Sequence, residues 1–520
     1  MKYSFLIIAI SSAISSFAQT FYPDHVFVDY YRALEMKNEN IENRINLFPS
    51  HIDQYKNDSL NWNIWGDQFP NPSSDKSITI LPISWSGTYN TGYPKSNNDG
   101  AVWKGKGLNG QVQGGIKGKF GLVEFALAPV IFYSQNRPYI LAKDTLDRHP
   151  LNYQFSPIDY VQRYGRDSYT HFDWGQSAIH LVYKSWTAGI STTNMTWGPA
   201  QVNPVLMSSN AAGIPRIEIG THKPIKTKFG HIEGRAYWGR LRESKYFNND
   251  PDDDIRYWSG VSLGYQPSFL PDLYLGVNRA FYKYMNDFNT DDLYITFWRY
   301  KDPNFDEPGN DEYDQMASIT ARYLFKEVGF ETYIEYGKND FGSGIVRPEP
   351  EHARGYTIGF SKYFDLIDDR LIKFTYEHAS LDKARTGLTR PHNTWYTHSS
   401  VPHGYTNDGQ VIGASVGPGS TTDYFGLQYF FAKGMCQING QRIRYNDDYI
   451  YINEKIWDYK LLDHEWNIHA QYNRFFGEYL MGFQAGLNTR RQIHFVRHQH
   501  IKNWQFQVNI TKSIGSIKNK

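Results

Sequence analysis

The sequence has 520 residues, a formal net charge of +1 and a polar mean hydropathy of −0.59. This balance excludes strong electrostatic recruitment to nucleic acid, which requires a basic surface that neutralises phosphates. Aromatic residues nevertheless make up 17% of the chain, with 40 Tyr among them. A barrel wall with a lipid face, a wet face and aromatic girdles has this combination. A secreted all-β carbohydrate-active protein would have it too.

The first 18 residues predict a secretory signal peptide. Met1-Lys2-Tyr3 is a short positive start, and an apolar run follows from Phe5 to Ile14. Ser16-Phe17-Ala18 is a small-x-small cleavage signal that would leave Gln19 as the new terminus. No later stretch contains about 18 consecutive apolar residues, so the sequence predicts no transmembrane helix.

Residues 19–76 predict a helical periplasmic segment. From His25 to Leu34 the apolar residues recur three and four positions apart, and Asp24 is placed to cap that helix. Pro49-Ser50 separates two further short helical candidates. Such a segment suits a plug or base of a barrel, and it equally suits a simple tether.

Period-two alternation replaces helical spacing from about residue 77 and predicts strands as far as the C-terminal region. Clear alternating runs begin at Ile232, Ala317, Val328, Trp466 and Trp504. Each run is about 9–11 residues long, which lets a tilted strand cross a bilayer. Strands of soluble sandwiches are typically about 5–6 residues long. The run length therefore favours a membrane barrel over residues 77–520.

Short turns alternate with long polar connections along this region. The long connections span 134–175, 197–215, 242–256, 283–313, 338–355 and 380–421. Outer-membrane barrels have this rhythm of short periplasmic turns and long extracellular loops. The pattern predicts an all-β outer-membrane barrel of about 18 antiparallel strands between Ile78 and Ser513. The final residues, Ile517 to Lys520, lack the terminal aromatic residue usual in such barrels, and a short tail after the last strand would account for this.

Two stretches resemble a known family. One reads Asn98-Asp99-Gly100-Ala101-Val102-Trp103-Lys104-Gly105-Lys106-Gly107-Leu108-Asn109. The other contains Thr196-Trp197-Gly198-Pro199, then Ser208-Ser209-Asn210-Ala211 and Gly213-Ile214-Pro215. In sequence, order and chain length they resemble the Wzi-type capsule-assembly proteins of Gram-negative outer membranes. The resemblance implies an outer-membrane barrel with a small helical periplasmic part that acts as a lectin for surface polysaccharide.

The connection from Thr196 to Thr221 is too rich in Gly, Pro, Asn and Ser to form one regular element. Long connections on rigid scaffolds commonly carry function, although this one could simply close a barrel wall. Aromatic faces can stack on sugar rings, and Asn and Arg can hydrogen-bond hydroxyls or acidic sugars. Aromatic residues near strand ends also form interfacial girdles. The candidate polysaccharide-binding residues are Trp103, Tyr164, Trp174, Trp197, Asn203, Ser209, Asn210 and Arg216.

Two acidic stretches, 248–254 and 302–314, offer carboxylates for calcium, but neither has the spacing of a twelve-residue calcium loop. Solvated loops are the favoured interpretation. His494, His498 and His500 lie near a predicted strand end without a zinc-protease motif, which favours a solvent-facing rim. We therefore predict no metal and no other cofactor.

The sequence gives little indication of a catalytic site. Glu331 and Glu335 are four positions apart on one predicted strand, about 13 Å at about 3.3 Å per residue. This exceeds the spacing of a glycosidase pair, unless a cross-strand residue such as Glu377 supplies the second carboxylate. No P-loop occurs. The strings G-x-S-x-G at 260–264 and 413–417 and G-x-G-x-x-G at 105–110 lie in predicted strands and loops, without the following helix that a nucleophile elbow or a dinucleotide site requires. Cys436 has no neighbour in sequence that would activate it as a nucleophile.

These observations predict a non-enzymatic, monomeric outer-membrane protein. Its expected partners are capsular or exopolysaccharide and outer-membrane lipid. A diffusion channel or transporter for oligosaccharides is the first alternative, because the wet faces of the strands would line a polar lumen. A barrel-embedded or secreted hydrolase is the second.

Overall fold

The structure is a computed structural model that describes residues 25–38, 60–68, 78–143, 149–248, 250–297, 313–339, 349–388, 391–452 and 458–512. The predicted signal peptide and C-terminal tail lie outside these ranges. Within them, no helix is long and apolar enough to span a bilayer. The boundaries 1–18, 19–76 and 77–520 stay predictions, because much of the first 77 residues is not described.

The strands form a closed antiparallel barrel of 18 staves, where a stave is one strand of the barrel wall, either continuous or made of two successive segments. The first half contains β1 Ile78–Asn90, β2 Gly107–Phe120, β3 Val123–Leu127, β4 Val130–Ser134, β5 Tyr169–Asp173, β6 Ala178–Tyr183, β7 Trp186–Ser191, β8 Arg216–Thr221, β9 Ile225–Thr227, β10 Gly230–Arg242, β11 Ile255–Pro267 and β12 Leu273–Tyr284. The second half contains β13 Tyr313–Phe325, β14 Phe330–Asn339, β15 Arg354–Asp365, β16 Leu371–Ser380, β19 Thr421–Phe431, β20 Gly434–Arg444, β21 His464–Phe476, β22 Tyr479–Arg491 and β23 His500–Lys512.

Three staves consist of two segments each: β3 with β4, β5 with β6, and β8 with β9. Strands β17 Thr406–Asn407 and β18 Gln410–Val411 form a small hairpin in the connection after β16. The barrel closes where β23 pairs with β1, with Phe506 opposite Tyr89. The predicted strand count and architecture are confirmed.

The alternation seen in the sequence separates the two faces of the wall. On β21, Trp466 and Ile468 are 56% and 58% exposed, whereas Glu465 and Asn467 between them are buried. Large apolar side chains turn outward on the other staves as well. An apolar exterior and a polar interior are what a bilayer requires of a closed sheet, so the outer-membrane location is confirmed.

Connection length distinguishes the two ends of the barrel. The turns Ala432-Lys433 and Gly477-Glu478 are two residues long, whereas long connections such as 192–215 and 445–463 leave the opposite end. Short turns mark the periplasmic end and long connections the extracellular end. The second helix, α2 Asp447–Ile452, lies in one of the extracellular connections.

Helix α1, His25–Lys37, lies in the periplasmic mouth. Its apolar spacing produces a buried face on which Tyr30 stacks on Trp65, with ring centroids 3.8 Å apart. Asn38 ends the helix by donating to the Leu34 carbonyl at 2.9 Å, which satisfies one of the free C-terminal acceptors. Trp65 Nε1 donates to the Gly434 carbonyl at the start of β20, 3.1 Å away. The helix is therefore fixed in the mouth of the barrel and is not a simple tether.

Candidate functional site

The connection between β7 and β8, residues 192–215, turns into the barrel, and we call it the lumen loop. Glu377, on the inner face of β16, accepts hydrogen bonds from the backbone amides of Gln201 (2.7 Å), Val202 (3.1 Å) and Asn203 (2.7 Å). Hydrogen bonds to an ionised carboxylate are about twice as strong as neutral ones. The predicted extracellular loop 197–215 thus starts at the extracellular end but is bound inside the lumen.

A second inward carboxylate holds the next part of this loop. Glu335 on β14 accepts from the amides of Val205 (2.7 Å) and Leu206 (3.2 Å), and from the Ser318 hydroxyl (3.0 Å). Both carboxylates are 0% exposed. Their oxygens are occupied by the protein's own backbone, so they anchor a loop and do not face a substrate cleft.

Helix α1 and the lumen loop contact each other inside the barrel. Arg32 of the helix donates to the Pro199 carbonyl of the loop at 2.8 Å. Lys373 on the barrel wall bridges Asp29 of the helix (3.2 Å) and the Gln201 side chain of the loop (2.9 Å). Helix and loop therefore form one continuous obstruction, which we call the plug.

Buried ion pairs fix the plug to the wall. Arg322 on β13 lies 3.0 Å from Glu35 of the helix and 2.8 Å from Glu331 of the wall. Glu331 also accepts a hydrogen bond from the side-chain Nε2 of Gln201 at 3.3 Å. Since each charge has an opposite charge or a donor beside it, burial of this network does not leave an uncompensated ion.

The two stretches that carry the family resemblance pack against each other. Gly100 donates its amide to the Ser209 carbonyl at 2.7 Å, and Asn98 donates to the Val202 carbonyl at 2.9 Å. Gly198 has φ +80°, and a Cβ there would lie 2.8 Å from Thr320 Cγ2. Only glycine accommodates both the left-handed backbone and this close approach. The motifs therefore encode the inward course of the lumen loop.

Most of the predicted binding residues in this loop are buried within the plug. Trp197 and Asn203 are 0% exposed, and Ser209 and Asn210 are engaged in hydrogen bonds to neighbouring loops. Arg216 closes the base of the loop by donating to the Thr193 carbonyl (2.8 Å) and to Glu218. Their role as ligand contacts stays a prediction; their observed contacts are internal to the protein.

Two predicted residues from different connections meet on the extracellular side. The rings of Trp103 and Tyr164 are 5.0 Å apart, and Tyr169 and Tyr246 each lie 6.0 Å from Tyr164. All four residues are half-buried. We call this group the aromatic cluster. The eighth predicted residue, Trp174, is instead 57% exposed beside Phe172 on the outer wall.

One acidic stretch contributes to a possible metal-ligand group. Glu243, Asp253 and His403 have donor atoms within 4.8 Å of one another. Burial raises the pKa of Glu243 to about 7, and burial with the nearby Arg256 lowers the pKa of His403 to about 3. The Glu243 carboxyl and the His403 ring are hydrogen-bonded to each other, so each already has a partner within the group. The predicted absence of metal stays a prediction.

The other metal candidates are separated by the fold. Residues 302–312 lie outside the described ranges. His498 and His500 are exposed at the extracellular end, whereas the His494 ring contacts the Ile140 carbonyl at 3.0 Å. In the described part of the chain these three histidines do not form a ligand group.

The closed wall, inward loop and helical plug define a plugged outer-membrane β-barrel. The family described as Capsule assembly protein Wzi matches residues 87–441. The protein belongs to this family, which confirms the resemblance found in the two motifs. No curated protein matches the sequence.

Solved structures add a likeness of fold. The outer-membrane protein Wzi of Escherichia coli, described as a carbohydrate-binding β-barrel involved in group 1 capsule assembly, has a TM-score of 0.65 at 10% identity, and the match covers 96% of this chain and 100% of that chain. Acinetobacter baumannii OccAB2 has a TM-score of 0.41 at 11% identity, covering 84% and 97%. Pseudomonas aeruginosa OpdL has a TM-score of 0.39 at 10% identity, covering 84% and 98%.

Proposed function

We propose that this protein binds capsular or exopolysaccharide at its extracellular end without cleaving it, and so supports assembly or attachment of the coat at the cell surface. Membership of the capsule-assembly family supports this role. The observation that carries the proposal is the plug: helix and loop meet within the barrel at Arg32 and Pro199. A barrel obstructed in this way acts through its extracellular surface.

The aromatic cluster is the part of that surface best suited to a sugar. Trp103, Tyr164, Tyr169 and Tyr246 come from three different connections or strand ends and are held at ring distances of 5.0 to 6.0 Å. The Tyr164 hydroxyl is fixed by a hydrogen bond to the Asp408 carbonyl at 2.6 Å. Fixed aromatic rings lose little conformational entropy when a ligand stacks on them. Exposed Arg166 and Asp167 lie next to the cluster in sequence and offer polar contacts.

The two alternative functions fit the geometry less well. A diffusion channel needs an open lumen, whereas the plug contacts the wall through Glu331, Glu335 and Glu377. A hydrolase built on these carboxylates would need them free to act as acid and base. Their oxygens instead accept hydrogen bonds from the lumen loop, which favours a binding protein over either alternative.

The test compares binding of purified, detergent-solubilised protein to the surface polysaccharide of its own cell. The test variant is the double substitution Trp103→Ala, Tyr246→Ala. The control is Trp186→Ala, which removes an exposed aromatic residue at the periplasmic end of β7. We expect saturable binding by the wild type and the control, a loss of at least tenfold in affinity for the double variant, and no release of shorter fragments.

Two results would refute the proposal. Equal binding by all three proteins would remove the aromatic cluster from the site. Absence of binding by the folded wild type, or shortening of the polysaccharide during incubation, would contradict a non-enzymatic lectin role.

A further inference from the structure

A second surface feature lies outside the barrel, at its extracellular rim. It is an open cavity of about 710 Å³ between β20, β21, the connection that joins them and the connection from β22 to β23. Ligand pockets typically have volumes of about 300–1,000 Å³. Six lining residues carry positive charge or can acquire it: Arg442, Arg444, Lys460, His464, Arg497 and His498. We call this feature the basic rim cavity.

Strand register shows that the basic rim cavity faces the membrane side of the wall. Arg442 on β20 lies opposite Trp466 on β21, and Arg444 lies opposite His464. Trp466 shares its face with Ile468, and both are more than half exposed on the lipid-facing exterior. A Trp at this height is typical of the boundary between acyl chains and head groups.

The apolar surface continues directly below the cations. Gly440 lies opposite Ile468, and Ile438 is 56% exposed one step further toward the periplasm. A Cβ at Gly440 would meet only the Asn467 carbonyl oxygen at 3.5 Å, so the space over this glycine is open. The outer wall is therefore polar at the extracellular rim and apolar directly below it, which is the arrangement that an amphiphilic ligand requires.

Neighbouring carboxylates leave donors available in the cavity. Arg442 lies 3.4 Å from Asp423, which also contacts His378 at 2.9 Å. Arg444 pairs with Asp447 and Arg497 with Asp458, and among the residues that the structure describes no carboxylate lines the cavity itself. The side chains of Arg442 and Arg497 remain 37% and 56% exposed. A guanidinium has five N–H donors, so one carboxylate does not exhaust it.

The connection that supplies Arg497 and His498 is held in an unusual conformation. Gln492, His494, Phe495 and His498 all have positive φ, between 49° and 60°. Asp463 stabilises this course by accepting from Arg490 (2.7 Å) and from the His494 amide (2.7 Å). Non-glycine residues in this region are energetically costly and persist only where the surroundings enforce them. The connection is thus prearranged toward the cavity.

We propose that the basic rim cavity binds the phosphorylated head group of an outer-leaflet glycolipid of the lipopolysaccharide type. Its phosphate groups accept hydrogen bonds from Arg442, Arg497 and Lys460, while its acyl chains lie on the apolar strip beneath Trp466. Arg and Lys at a membrane surface recognise phosphorylated head groups through charge and donor geometry. The site is separate from the aromatic cluster and does not depend on polysaccharide binding there.

The test uses native mass spectrometry of the detergent-solubilised protein with bisphosphorylated lipid A as the probe. The same glycolipid after removal of its phosphates serves as the second probe. The test variant is Arg442→Gln, Arg497→Gln. The matched control is Arg474→Gln, Lys433→Gln, which removes two cations at the periplasmic end of the same part of the wall. Heat-dependent electrophoretic mobility verifies that each variant is a folded barrel.

We expect the test variant to bind lipid A about 25-fold more weakly, since each of the two surface cations contributes about fivefold to attraction of an anionic lipid. The control should bind like the wild type, and the dephosphorylated glycolipid should bind weakly to all three proteins. Equal lipid A binding by the test variant and the wild type would overturn the proposal. So would equal binding of the two glycolipids.

Two competition arms distinguish other occupants. If inorganic phosphate at millimolar concentration displaces lipid A fully, the cavity is a phosphate site and the glycolipid assignment is overturned. If a soluble acidic polysaccharide binds the wild type but not the test variant, while lipid A binding is unchanged, the cavity belongs to the polysaccharide instead.

Discussion

At the scale of single residues, a few buried carboxylates decide the course of the lumen loop. Glu377 on β16 is 0% exposed and accepts three consecutive backbone amides, those of Gln201, Val202 and Asn203. The Tyr333 hydroxyl donates to the same carboxylate at 2.9 Å. Removing its charge should release the loop locally while leaving the barrel wall intact, because the strands are held by their own backbone pairing.

Glu377→Gln tests this anchor. The substitution keeps the size of the side chain but replaces one acceptor oxygen with a donor, which opposes the loop amides. We expect hydrogen exchange of the amides at 201–203 to speed up at least tenfold, or about 1.4 kcal/mol in local stability. Glu478→Gln, in an exposed periplasmic turn, is the control. Unchanged exchange at 201–203 in the Glu377 variant would show that the carboxylate does not hold the loop.

Asp159, in an extracellular connection, gives a pH-dependent prediction. Burial raises its pKa to about 6, against hydrogen bonds from the Ser244 amide and hydroxyl that lower it. The folded pKa of Asp159 exceeds the unfolded value of about 3.9. Protonation of Asp159 therefore stabilises the folded protein, and this stabilisation is complete below about pH 4. It is lost as pH rises through about 6.

Asp159→Asn should therefore gain stability relative to the wild type as pH rises from 4 to 7. The expected relative change is about 3 kcal/mol, from a pKa difference of about two units. Free energies of unfolding at both pH values measure it, with Asp167→Asn as an exposed control in the same connection. A difference between Asp159→Asn and the wild type that does not vary with pH would contradict the assigned burial.

At the scale of elements, α1 and the lumen loop are held by contacts across the lumen. Arg32 and Lys37 lie on the same helix but differ in environment. Arg32 is 3% exposed and donates to Pro199, whereas the Lys37–Asp365 pair lies at the periplasmic rim with side chains 25% and 68% exposed. Buried partners and exposed ion pairs differ strongly in energetic importance.

This contrast supplies a matched pair of variants. Arg32→Ala should weaken docking of α1 by about 3 kcal/mol, because it leaves Glu331 with one fewer cation and the Pro199 carbonyl without its donor. Lys37→Ala should weaken docking by less than about 1 kcal/mol. Hydrogen exchange of the α1 amides measures both. Similar losses in the two variants would mean that the buried contact does not fix the helix.

The sequence predicts the staves better than the plug, for a physical reason. Alternation on β21 is a local pattern that any short window contains, so the wall and its strand count follow from periodicity. The inward course of the lumen loop depends on pairs such as Asn203 and Glu377, which are 174 positions apart. Composition identified an ordered connection there but not its direction. The recurring Glu on the wet faces of β14 and β16 was the available signal, because an inward carboxylate requires a partner.

The sequence likewise predicts only part of the candidate site. Aromatic and polar loop chemistry selected Trp103 and Tyr164, which the structure brings to 5.0 Å. The same criterion selected Trp197, which is fully buried in the plug, and Trp174, which is on the outer wall. Tyr246 was not selected because the connection that contains it is read mainly as an acidic stretch. Residue type predicts stacking capacity, but only tertiary structure separates an extracellular surface from a core or a lipid face.

At the scale of the whole molecule, the barrel is a scaffold whose lumen is occupied by its own chain. The wall supplies a polar interior, and that interior binds the helix from one side and the loop from the other. Extracellular connections then pack over the loop, as in the hydrogen bond from the Ser208 hydroxyl to the Gly413 carbonyl at 2.6 Å. The molecule is therefore organised as a barrel that holds part of its own chain in the lumen and presents extracellular loops, and we propose that it works as a closed binding platform.

Single-channel conductance in planar bilayers tests this account most directly. The wild type should insert without resolvable open-channel steps at potentials near ±100 mV. A variant with Arg32→Ala and Glu377→Gln together should show brief openings, because both halves of the plug are weakened. A steady conductance of the wild type that soluble oligosaccharides block would contradict a closed binding platform and establish a sugar-conducting pore.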